Sequence, residues 1–145
     1  YDRRHTRRIS DFGGLKKSMP IYASIFLFTS FASIGLPGLN GFVGEFMILM
    51  GSYPTFKVLT SVAAFGVVLA AIYMLWAYQR MFNGQLDNDE NAVLSDLNSK
   101  ELVAVGPLLA LMLFIGIYPS FIESYVVQDV SVIYESISNL IGVSQ

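Results

Sequence analysis

Four glycines, a proline and one carboxylate interrupt the longest apolar run of this 145-residue chain. They lie in Gly35-Leu36-Pro37-Gly38-Leu39-Asn40-Gly41-Phe42-Val43-Gly44-Glu45, and the run itself extends from Met19 to Met50. Helices stop where glycine and proline cluster, because glycine leaves the backbone loose and proline removes a donor. In hydrocarbon the freed N–H and C=O groups find no water, so such a break must be buried in protein or line a cavity. An acid just beyond the break marks a functional site by default.

The placement of charge argues that the surroundings are a bilayer. Hydrophobic residues make up 54% of the chain and charged ones 14%, with a mean hydropathy of +0.55. Arg3, Arg4, Arg7, Arg8, Lys16 and Lys17 all precede the first apolar run. Met19–Met50, Val58–Trp76 and Leu102–Tyr118 carry Glu45 as their only charge. The expected fold is therefore all-α, part of a polytopic transmembrane bundle with one discontinuous helix. Starting at Tyr1 without a methionine or a signal-peptide pattern, the chain reads as the C-terminal piece of a longer protein. With no Cys and only His5, it cannot ligate an iron–sulfur cluster and offers too few ligands for zinc or a bis-His haem.

Residues 1–18 read as a cytoplasmic loop that sets topology through its basic residues rather than as a nucleic-acid site. Residues 19–53 hold the broken helix. As one continuous helix, Met19–Met50 would be about 48 Å long, and Phe42–Tyr53 alone only about 18 Å. Neither suits a hydrocarbon core of about 30 Å, so a single crossing built from two half-helices is expected. The break is expected at residues 35–41, with Asn40 as the N-cap of the second half. Residues 58–80 form the next crossing, and Tyr73, Trp76 and Tyr78 with Arg80 read as an interfacial belt at its end. Residues 83–101 read as a solvated cytoplasmic loop, closing on a capping box at Asn98-Ser99-Lys100-Glu101. Residues 102–118 form the last crossing, kinked at Pro107. Residues 120–145 read as an amphipathic surface tail, with Ile122, Tyr125, Val126, Val130, Ile133, Tyr134, Ile137 and Leu140 near helical spacing. The charge count supports this layout: eight Lys/Arg fall on the cytoplasmic side and Lys57 alone on the other.

Glu45 is the candidate site. Desolvation disfavours an ionised carboxylate, and the positive end of the second half-helix favours it. Opposed effects of this kind suit a group that takes up and releases a proton. A Glu fixed in a permanent ion pair is the competing reading, and it needs a cation from another segment. No nucleophile–base set, phosphate loop or dinucleotide fingerprint accompanies it.

The stretch Leu36-Pro37-Gly38-Leu39-Asn40-Gly41-Phe42-Val43-Gly44-Glu45-Phe46 resembles the signature of the antiporter-like, proton-pumping membrane subunits of respiratory complex I, NADH–quinone oxidoreductase. Arg7-Arg8-Ile9-Ser10-Asp11-Phe12-Gly13-Gly14-Leu15, followed by Met19-Pro20, is similar to the loop before the broken helix in its chain M (chain 4) branch. The likeness runs from Arg3 to Pro119 and leaves Ser120–Gln145 unmatched. It implies a fold of fourteen helices in two inverted repeats, of which this chain would supply the last three crossings. It also implies that Glu45 is the outermost carboxylate of a proton relay, whose other members lie on absent helices. Sibling subunits and cation/proton antiporters tend to have Lys at that position, so Glu45 favours the chain M branch. The implied partners are other complex I membrane subunits, the rest of the same subunit and the lipid of a bacterial plasma or mitochondrial inner membrane. The implied cofactors (NADH, FMN, iron–sulfur clusters and quinone) would lie in partner subunits, with none here.

Overall fold

The structure is a computed structural model that describes residues 3–86 and 88–141. Asp87, in the expected loop, lies outside them, as do the side chains of Asp129, Glu135 and Leu140 in the tail. Seven helices account for the described fold: α1 (Leu15–Ser18), α2 (Pro20–Ser33), α3 (Asn40–Ser52), α4 (Lys57–Phe82), α5 (Asp89–Ala92), α6 (Ser99–Ile117) and α7 (Ser120–Ile141). A single 3-10 turn, Ile9–Asp11, precedes α1.

Two of these helices, α4 and α6, are long and apolar enough to cross a membrane. The helices α2 and α3 are not, at 14 and 13 residues. Together they make about 40 Å of helix against about 39 Å for α4. Their packing matches that sum. Tyr22 and Phe26, near the start of α2, pack with tilted rings on Phe82 at the end of α4, with ring centroids 5.6 and 5.0 Å apart. Leu49 and Ser52, at the end of α3, share a groove with Leu59, Thr60 and Ala63 at the start of α4. The two half-helices thus flank opposite halves of one long helix.

The buried core sits at one end of the molecule. Leu15, Ala23, Tyr78 and Phe82 form it, with Phe26 and Leu94 packed against them. Tyr78 departs from the sequence reading here: it is 8% exposed and stacks on Phe82 at 4.9 Å. Tyr73 and Trp76 remain exposed, with the Arg80 guanidinium 5.3 Å from the Trp76 ring centre. The difference is one of helical phase. Tyr78 and Phe82 are four residues apart and share the face turned to α2, whereas Tyr73 and Trp76 lie on another.

A polar cap closes over this core, built within the loop expected from the sequence, most of whose residues are exposed. Asp96 accepts hydrogen bonds from the amides of Ile21 and Tyr22, at 2.7 and 3.0 Å, and from Leu97 at 2.7 Å. The first turn of α2 needs this help, because Met19 at its N-cap has no acceptor side chain and Pro20 no N–H. Asn91, 1% exposed, donates to the Asp11 carbonyl at 3.0 Å and accepts from Arg4 at 2.9 Å. Arg4 also pairs with Glu90, and Arg3 with Glu101 at 2.7 Å. Glu101 completes the capping box of α6 by accepting from the Asn98 amide. The helix α7 is the most amphipathic of the set, and the side chains described on it are largely exposed.

Candidate functional site

The site is the junction between α2 and α3. Its backbone is closed by two devices written into residues 34–39. The Leu36 amide donates to the Phe31 carbonyl at 3.0 Å around Gly35, whose φ is +73°. That is the closing pattern of a Schellman turn, which favours glycine at the left-handed position. The Leu39 amide then donates to the Leu36 carbonyl at 3.1 Å, with Pro37 second and Gly38 third at φ +93°. Proline followed by a left-handed glycine is the pattern of a type II turn. Two of the amides freed by the break, those of Leu36 and Leu39, are thus paired within the segment.

Glu45 reaches back across the first turns of α3 to this junction. Its Oε2 would lie 2.6 Å from a Cβ placed on Gly35, so the carboxylate rests against the bare Cα of that glycine. The side chain is half-buried, and it has no hydrogen bond or ion pair to another described residue. The half-helices meet closely on the other side as well: a Cβ on Gly41 would fall on the Ala32 carbonyl oxygen. The negative end of α2 and the positive end of α3 therefore converge beside the acid.

The candidate residues sort by position. Gly35, Pro37 and Gly38 lie in the break, while Asn40, Gly41 and Gly44 lie in α3. Asn40 is not the N-cap. Leu39 holds that position with extended backbone and no side-chain cap, because the type II turn has already aligned the chain. The Asn40 Oδ1 is instead buried without a partner among the described residues. Gly44 faces open space, with no atom within 4 Å of a Cβ built there. Sequence reasoning missed Gly116 of α6, against which the backbone of Gly38 and Leu39 packs. An isolated glycine near a helix end gives no local signal of such a contact. Among the described residues no group of three His, Cys, Asp or Glu converges as a metal site would require.

Residues 1–72 match the family model described as NADH:quinone oxidoreductase/Mrp antiporter, TM. The chain belongs to this family. It is 45% identical over 129 residues to NADH-quinone oxidoreductase subunit M of Rhodobacter capsulatus, covering 87% of this chain and 25% of that one. It is 37% identical over 142 residues to NADH-ubiquinone oxidoreductase chain 4 of Marchantia polymorpha, covering 97% of this chain and 27% of the relative. Among solved structures it is similar to a chain of respiratory complex I from Thermus thermophilus with bound NADH, with a TM-score of 0.72 and 34% identity. That likeness covers 83% of this chain and 25% of the other. The chain thus spans about a quarter of the length of the relatives it matches. Membership in this transmembrane family makes it an integral membrane protein.

Proposed function

We propose that this chain is the C-terminal part of a proton-translocating subunit of NADH–quinone oxidoreductase, in which Glu45 is the terminal proton carrier. Electrons from NADH would reach quinone elsewhere in the complex, through the flavin and iron–sulfur clusters of partner subunits. Glu45 takes a proton from the central polar axis, contributed by the absent helices of the same subunit, and releases it to the outer side. The membrane is the bacterial plasma membrane or the mitochondrial inner membrane, and the neighbours are the other membrane subunits of the complex.

The observation that carries this reading is the Glu45 carboxylate lying against Gly35, at the junction of two half-helices. Broken helices present their ends to ions in this way in secondary transporters. An acid at membrane depth is costly to keep, and one with no ion pair among the described residues suits exchange better than a fixed pair. A cation/proton antiporter or membrane-bound hydrogenase subunit would use the same site, but the chain M and chain 4 likenesses favour complex I. The test is Glu45→Gln in the intact complex reconstituted in vesicles, with protons pumped and NADH oxidised measured together. A lower proton-to-electron ratio is expected; an unchanged ratio overturns the assignment.

A further inference from the structure

We infer that Gly116 is a positioning residue for Glu45, setting where the break, and with it the carboxylate, sits against α6. A Cβ built on Gly116 would meet the Gly38 carbonyl oxygen, the Gly38 carbonyl carbon and the Leu39 Cα, all under 3.0 Å. These are backbone atoms, which cannot swing aside as the end of a side chain can. The break therefore rests backbone to backbone on α6, a closeness that only a residue without a side chain permits. Gly38 is the left-handed corner of the type II turn, and Leu39 is the N-cap of α3. Any displacement at Gly116 moves the start of α3, the helix that carries Glu45 one and a half turns on.

Two features separate this role from ordinary packing. The other glycine of α6, Gly106, has no atom within 4 Å of its built Cβ, so small size matters at one position of the helix and not at the other. The contact also falls on the interrupted segment itself rather than on the regular turns of α2 or α3. Gly116 touches no proton carrier and acts only through the backbone of the break.

The inference rests on Glu45 as the proton carrier, and the experiment separates the two. Gly116→Ala, Gly106→Ala and Glu45→Gln are introduced singly into the intact complex. Assembly is followed by native gel, and the proton-to-electron ratio is measured per assembled complex in vesicles. Gly116→Ala is expected to lower that ratio at least twofold toward the Glu45→Gln value, while Gly106→Ala leaves it at wild type. A merely structural role would reduce the amount of complex without changing the ratio of what assembles. Leu39→Ala is the second arm: Leu39 is the N-cap residue whose Cα meets Gly116 and is only 4% exposed, so trimming its side chain loosens the seat of α3 without altering Gly116, and it decides the matter if Gly116→Ala does not assemble. Normal ratios in the assembled Gly116 and Leu39 variants, beside a lowered one in Glu45→Gln, overturn this inference alone. A normal ratio in Glu45→Gln overturns both readings.

Discussion

Gly35→Ala separates the backbone role of this glycine from its role beside Glu45. At φ +73° an L-residue costs about 1–2 kcal/mol relative to glycine, and the assembled subunit should lose stability by that amount. The second effect is local. The new methyl would lie 2.6 Å from Glu45 Oε2, whereas ordinary contact begins at 3.4 Å. The carboxylate is the free end of a flexible side chain, so it retreats by about 0.8 Å rather than breaking the fold. Misplacing a reacting group by about 1 Å can cost roughly 100-fold in rate. We therefore expect proton transfer through this site to fall by about 10- to 100-fold in Gly35→Ala, with NADH oxidation retained. The control is Gly84→Ala, whose φ of +109° carries a comparable backbone penalty but whose Cβ would meet nothing within 4 Å. Thermal denaturation of the complex and vesicle acidification report the two effects separately. Equal losses of stability with an intact proton-to-electron ratio in both variants would refute the placement of Glu45 against Gly35.

The polar cap and the core yield two further expectations. Asp96→Ala should cost about 1 kcal/mol through loss of the cap on α2, seen as a lower unfolding midpoint, and Asp96→Asn should recover part of it. Burial pushes the Asp96 carboxyl up, but the amides of Ile21, Leu97 and Tyr22, together with Arg3, outweigh it and hold the group below the usual carboxylate range. Its contribution is therefore complete above the unfolded Asp value of about 3.9 and is lost as pH falls through the lower folded value. An acid-unfolding curve of Asp96→Ala should lack that loss, and identical curves would argue against the cap. Phe82→Ala should cost about 3–5 kcal/mol, because the ring is 1% exposed in the aromatic cluster. Trp76→Ala, at 54% exposure, should cost far less in the same thermal assay.

What could be read from the sequence was what depends on neighbours in the chain. The pattern Gly35-x-Pro37-Gly38 determines its own turns, so a break was legible to within a residue or two of residues 34–39. Asn98 and Glu101 likewise satisfy each other across one helical turn, and the all-α class followed from long apolar runs that carry almost no charge. Asp96 and Gly116 were not legible, because the partners that give them their roles lie far away in sequence, and Tyr78 was misplaced because nothing local shows which face of α4 turns to α2. Asp96 fell within the stretch read as a solvated loop, since the need for its second role, capping α2, arises at Met19 and Pro20 far upstream. Asn40 was misjudged for the opposite reason. Its residue type favours an N-cap, but the turn at Pro37-Gly38 had already handed that position to Leu39.

The cap on α2 also gives the fold a clock. Asp96 follows Ile21 by 75 residues, so at roughly 5–20 residues per second the ribosome needs on the order of 4–15 s to deliver it. Through that interval the first half of the broken helix has its leading amides unpaired, and α3 and α4 are made before it can be fastened. The first half of the interrupted crossing is thus made well before the residue that completes it.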